Sequence, residues 1–241
     1  MIEYVIYALS RSGHHAFCEW VAEGIPSNVA YYNNAVLGWK DGNMLSAKPH
    51  KNYSLRYPKK IINNDLPLFV KMCSVETFDV DYFTRYNLLN FDVRHHVLFI
   101  REFRNWVASV FVGGSSGKEE LTKPFTDQLG NVQESTVSLW RKQARLFLNP
   151  PNGVVCVFYD RWLSDEEYKC RISKQLGIPN LDTPVAMSKH GGGSSFTGNN
   201  GGEFDSNVFR RYEQLRDNEE YNKILKDNPE CLKLSEELFS V

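Results

Sequence analysis

The sequence predicts an α/β fold: a central, mostly parallel sheet with helices on both faces, three layers in all. Two observations carry this. Short apolar runs rich in Val, Ile and aromatic residues recur along the chain, as buried parallel strands do. Amphipathic stretches lie between or after them, so strand and helix alternate. The length and composition agree. With 241 residues, 42% of them hydrophobic, the chain can enclose the core of one domain. Residues 1–241 are therefore read as a single domain, with a helical C-terminal segment from about 205.

The elements follow in order. The run Glu3-Tyr4-Val5-Ile6-Tyr7 opens a first strand over 3–9, and Ala16-Phe17-Cys18-Glu19-Trp20-Val21 begins a first helix over 16–24. Further strands are expected over 67–71, 96–100 and 153–158. Further helices are expected over 104–111, over Thr136–Leu148 with Val137, Trp140, Ala144 and Phe147 on one stripe, and over 165–176, closed by Gly177 and Pro179. The tail is charged, with apolar residues spaced to pack on the body. Three segments fit no element well. Residues 43–64 carry five Lys/Arg, one His and no acid; 113–131 is Gly/Ser-rich and polar; 188–202 is rich in glycine. Long loops in compact domains commonly serve function.

Bulk properties exclude several classes. Twenty-eight basic and 29 acidic residues leave a net charge of −1, so the chain as a whole attracts neither nucleic acid nor membrane. A strand-like run follows Met1 at once, so no secretory leader is expected, and no apolar stretch approaches membrane-span length. Cys18, Cys73, Cys156, Cys170 and Cys231 are scattered without C-x-x-C spacing. They read as reduced thiols of a cytoplasmic protein, with no metal site.

Chemistry concentrates where strands hand over to helices. Ser10-Arg11-Ser12-Gly13-His14-His15 joins the first strand to the first helix. Free N–H groups and the helix dipole favour an anion there. Gly13 permits close backbone approach, Arg11 adds a bidentate fork, and His14 and His15 add ring donors. Phosphate or sulfate is the expected ligand; a plain connection with a capping serine is the competing reading. The loop is not a Walker A motif, since His14 follows Gly13 where that motif has lysine. A second handover, Arg101-Glu102-Phe103-Arg104-Asn105-Trp106, places Ser109 eight residues beyond Arg101, where the pair can grip a second phosphate.

On these residues the chain resembles the sulfotransferases that use 3′-phosphoadenosine 5′-phosphosulfate (PAPS). Their first loop, of the type [KR]-S-G-[ST]-[ST], binds the 5′-phosphosulfate and is similar to Arg11–His15. Their R-D-P-R-D-x-x-x-S motif binds the 3′-phosphate and is similar to Arg101-Glu102-Phe103-Arg104-Asn105 with Ser109. Val154-Val155-Cys156-Val157-Phe158-Tyr159-Asp160 resembles the family's strand ending in Tyr-Glu, so Tyr159 inherits a place near adenine. Ser194, Ser195 and Phe196 resemble a T-S-F contact to the adenosine. Phe69-Val70-Lys71-Met72-Cys73 resembles a middle strand ending in K-T-H. The likeness runs from Ser10 to Phe196. It implies a P-loop NTPase-like fold, PAPS as co-substrate with PAP as product, and no metal.

The resemblance also implies roles. Arg11 would balance charge on the leaving 5′-phosphate, and Lys71, His14 and His15 would hold the sulfuryl oxygens. The acceptor's proton needs a base; the candidates, in falling order, are His15, His14, His50, Glu76 and Cys73. Cys73 stands where one branch has its catalytic histidine. Residues 30–34 lack the glutamate used by others, and Phe103 replaces a proline. The expected partner is a small-molecule or glycan acceptor. The basic run Lys48, His50, Lys51, Arg56, Lys59 and Lys60 suits an anionic one, with a solvated loop as the competing reading. Two rivals remain: an inactive PAP-binding protein of the same fold, and a kinase with an atypical P-loop, which the missing lysine disfavours.

Overall fold

The computed structural model describes residues 2–25, 28–32, 39–40, 43–44, 69–75, 93–113, 115–126, 132–179 and 206–240. In chain order they form β1 (Ile2–Ala8), α1 (His14–Gly24), β2 (Asn28–Tyr32), and a small ladder of β3 (Trp39–Lys40) with β4 (Asn43–Met44). Then come β5 (Phe69–Val75), β6 (Val93–Ile100), α2 (Phe103–Val112), α3 (Ser115–Thr122), and a second ladder of β7 (Phe125–Thr126) with β8 (Val132–Gln133). The chain continues through α4 (Thr136–Leu148), β9 (Val154–Phe158), α5 (Tyr159–Ser164) and α6 (Glu166–Leu176). Two 3₁₀ turns, Ser206–Phe209 and Arg211–Leu215, precede α7 (Glu219–Asp227) and α8 (Pro229–Phe239).

Five strands make one sheet in the order β2-β5-β1-β6-β9, and every pairing in it is parallel. The fold is α/β, as the alternation of elements predicts. The central strand β1 explains why its sequence reads as one apolar run. Val5, Tyr7 and Leu9 enter a core with α2, α4, α7 and α8, while Tyr4, Ile6 and Ala8 enter another with α1 and α6. A strand covered on both faces has no polar side to display. The second core is strongly aromatic: Phe17 and Trp20 of α1 pack against Trp162 of α5 at 5.3 and 5.7 Å between ring centroids.

Several boundaries differ from those the sequence suggests. The strand expected over 67–71 runs from Phe69 to Val75, which puts Lys71 in its interior. β6 starts at Val93, three residues before the expected start at 96; Arg94 and His95 obscured its onset. β2 escaped notice because an edge strand pairs on one side only and needs no continuous apolar run. Part of 113–131 is the helix α3. The stretch after β9 is two helices rather than one, and Asp165 separates them, its side chain accepting from the Tyr168 N–H at 2.9 Å. Gly177 ends α6 at φ 65°, as its position in the sequence suggests.

The topology fixes where a ligand can sit. From β1 the chain passes through α1, on one face, to the β2 edge. From its neighbour β6 it passes through α2 and α4, on the other face, to the β9 edge. Chains leaving adjacent strand ends toward opposite faces open a crevice between them. Gln143 of α4 closes the floor: its Nε2 donates to the carbonyls of Tyr7 in β1 (3.3 Å) and Phe99 in β6 (3.1 Å). Both acceptors are buried, so Gln143→Leu should lower unfolding stability by about 1–3 kcal/mol, read as a lower midpoint in urea.

Candidate functional site

Residues 10–15 form the rim of this crevice. The Ser12 N–H donates to the Leu9 carbonyl at 3.2 Å and tightens the turn. Arg11 is held at φ 66°, and it is the one non-glycine residue with positive φ among the described residues. Such a backbone costs about 1–2 kcal/mol, so it needs fixing from outside. Two buried side chains do this: Trp106 Nε1 donates to the Ser10 carbonyl at 2.9 Å, and Arg101 Nη1 to the Arg11 carbonyl at 3.4 Å. Gly13 then starts α1 at φ 90° without a side-chain cap. Glycine is required here twice over, because a Cβ would stand 2.4 Å from Tyr159 Cε2.

Beneath the loop lies Arg101, only 2% exposed at the end of β6. Its Nη2 donates to the Val208 carbonyl at 2.8 Å, and its Cζ lies 4.8 Å from the Tyr159 ring centroid. Its Nε has no hydrogen-bond partner among the described residues. The Val208 carbonyl also accepts from Asn105 Nδ2 at 2.8 Å, and Asn105 Oδ1 accepts from the Arg211 N–H at 3.1 Å. The turn Ser206–Phe209 thus rests on Arg101 and on the first turn of α2. Asp160 Oδ2 accepts from the Glu102 N–H at 3.2 Å, and its enclosed Oδ1 has no hydrogen-bond partner among the described residues. Burial pushes the Asp160 carboxyl up from its ordinary value, and the Arg101 charge opposes that shift. Burial raises Glu102 likewise.

His14 is 1% exposed, with Nδ1 at 3.2 Å from Ser12 Oγ, and its ring meets that of His15 at 4.1 Å. Burial, and secondarily the charge of His15, holds the His14 imidazole well below its ordinary value. His14 is therefore neutral at pH 7. His15, one residue on, is half-buried.

The structure brings Ser10, Arg11, Ser12, Gly13, His14, His15, Arg101 and Tyr159 together at the carboxyl ends of β1, β6 and β9. Tyr159 is buried under Arg101 and against Gly13, so its ring is packed within the protein. Ser109 is 3% exposed, one helical turn beyond Asn105 on the same side of α2. Lys71 is not brought to the loop. It pairs with Glu3 on β1 and Ala30 on β2, and Glu3 precedes Ser10 by seven residues, roughly 20 Å of strand. That is farther than a lysine spans, because β5 continues four residues past Lys71 before it ends. Cys73 pairs with Val5 and Tyr32 in mid-sheet, again short of the strand end. His50, Glu76, Ser194, Ser195 and Phe196 lie outside the described residues.

Sequence reasoning missed Asn105, Asp160, Val208 and Arg211 as parts of this site. Asn105 and Asp160 stand inside the two stretches singled out there, at 101–105 and 154–160, but without a role of their own. Val208 acts through its carbonyl, which no sequence pattern marks. Among the described residues no three His, Cys, Asp or Glu side chains converge to hold a metal ion, and no helix is long and apolar enough to cross a membrane. The chain matches no protein-family model and no curated protein sequence.

Two outcomes follow from this geometry. Gly13→Ala meets both the positive φ and the Tyr159 ring, so it should cost about 2–4 kcal/mol, measured by chemical denaturation. His14 gives a pH signature. Folding keeps the ring neutral, so below about pH 6.5 the unfolded chain binds the additional proton. Stability should therefore fall as pH drops from 7.5 to 6, and the fall in melting temperature should be shallower in His14→Gln.

Proposed function

We propose that the protein is a PAPS-dependent sulfotransferase of P-loop-like fold, acting in the cytoplasm on a hydroxyl or amine of a small-molecule or glycan acceptor. One observation carries the reading. A loop bearing Arg11 and opening on the glycine-capped N-terminus of α1 lies at the switch point of a parallel sheet, with a second arginine directly beneath it. Backbone N–H groups at a helix start, an adjacent guanidinium and a buried cation below all favour a phosphate or phosphosulfate. The parts present fit such a group: the residue before α1 is a glycine, with no side chain of its own to cap the helix, and Arg101 Nε has no hydrogen-bond partner among the described residues.

PAPS supplies an activated sulfuryl group, whose bond to phosphate oxygen breaks as a bond to the acceptor forms. The chain's own residues orient and neutralise. Arg11 balances charge gathering on the phosphate side. The neutral His14 ring fixes the loop through Ser12. His15, half-buried in the first turn of α1, takes the acceptor proton. Lys71 has no part, since it sits at the other end of the sheet. Arg101 has donors left for a 3′-phosphate: Nε, which has no partner among the described residues, and the second hydrogen of Nη2, whose first goes to the Val208 carbonyl.

A second reading, a PAP-binding protein without transferase activity, is favoured by one fact: His14, a candidate base in the loop, is closed off from solvent and so from an acceptor. The two readings separate in solution. Calorimetric titration should give PAP binding at least about tenfold tighter than 5′-ADP, and no preference for ATP with Mg²⁺. Preference for ATP with Mg²⁺, or no binding of PAP, would sink both. A screen with radiolabelled PAPS should then find a sulfated acceptor; PAP binding with no acceptor ever labelled would favour the second reading. On the acceptor found, His15→Asn should lower kcat by about a hundredfold or more. Its Kd for PAP should stay within about threefold of the parent, or roughly 0.7 kcal/mol.

A further inference from the structure

Gly113 ends α2 in an ordinary right-handed conformation, φ −72° and ψ −2°, which any residue adopts. Its backbone gives no reason for a glycine. The reason lies across the crevice, in Arg11. Arg11 Nη2 donates to the Gly113 carbonyl at 3.2 Å. A Cβ at position 113 would stand 3.0 Å from both Nε and Nη2 of that arginine and 3.1 Å from its Cζ. These separations are tighter than ordinary packing, so a side chain at 113 must displace the guanidinium by a few tenths of an ångström. Arg11 is fixed at its other end by its left-handed backbone and by the Arg101 bond to its carbonyl. The seat also suits a cation, since the last carbonyls of a helix carry partial negative charge.

We propose that Gly113 is a positioning residue for Arg11: its bare Cα and its carbonyl set where the guanidinium stands beside the anion-binding loop. The inference rests on the reading of residues 10–15 as a PAP and PAPS site. It goes beyond that reading in assigning a ligand-placing role to a residue on the far helix, which itself touches no ligand. Gly113→Ala is a clean probe, because an alanine fits the backbone conformation and the residue is only half-buried.

The test combines a double-mutant cycle with a ligand-free measurement. In PAP titrations, Gly113→Ala should weaken binding about tenfold by misplacing the guanidinium. Arg11→Ala should weaken it by about 10- to 100-fold through loss of a charge-assisted contact. The double variant should match Arg11→Ala within about twofold, because the two changes act through one group. An equal further loss from Gly113→Ala on the Arg11→Ala background would overturn the proposal. Without ligand, the Arg11 Nε–Hε resonance, assigned by its loss in Arg11→Ala, should shift in Gly113→Ala; an unmoved resonance would overturn it as well. Should Gly113→Ala melt early, the added change Arg11→Lys should restore the parent melting temperature, since a slimmer ammonium clears the Cβ; no recovery counts against the proposal. If the parent protein does not bind PAP, the function proposed above falls, and the resonance shift alone decides the role of Gly113.

Discussion

One buried cation ties together the parts of this molecule that surround the loop at 10–15. Arg101 stands at the end of β6, where water no longer solvates it, and an uncompensated charge there would be prohibitive. The compensation comes from separate parts of the chain. The Arg11 carbonyl arrives from the loop after β1, the Tyr159 ring and the Asp160 carboxylate from the end of β9, and the Val208 carbonyl from the turn before α7. Each partner stands at a handover: the loop after β1, the start of α5 after β9, and the 3₁₀ turn Ser206–Phe209. Removing the guanidinium would therefore loosen three strand ends and a turn together, not one contact.

That arrangement explains why the loop after β1 keeps a costly shape. Arg11 in a left-handed conformation and Gly13 against a ring are tolerated because Arg101, Trp106 and Tyr159 leave little other room. The same contacts leave the N-terminus of α1 facing the crevice and Arg11 half-exposed at its rim. On the reading proposed above, a loop fixed in this way needs little rearrangement when an anion arrives, which is the condition for electrostatic stabilisation of a transferring group. The rigidity lies in the buried layer, and the exposed layer above it carries His15 and Arg11.

The sequence made the α/β class legible because β1 and the second half of β6 are buried apolar runs, and β9 is apolar throughout although it is an edge strand. It marked the loop at 10–15 and the stretch at 101–109 because both stand where an apolar strand hands over to a helix, and the fold brings these two handovers together. It misled at Lys71. A strand that continues past its most apolar stretch has no local mark for its end, and the pairing of Lys71 with Glu3 depends on long-range register. β2 was hidden for a related reason, since one-sided pairing imposes a weak pattern. The Val208 carbonyl and the seat of Arg11 on Gly113 were beyond reach, because backbone atoms and a missing Cβ act only once the chain has folded.

The most direct test is a crystal structure of the protein grown with PAP. The 5′-phosphate should lie against the first N–H groups of α1 and the Arg11 guanidinium, and the 3′-phosphate on the side of Arg101 and Ser109. PAP bound elsewhere on the molecule, with Arg11 still seated on Gly113 and the loop at 10–15 holding no phosphate, would contradict the proposed function.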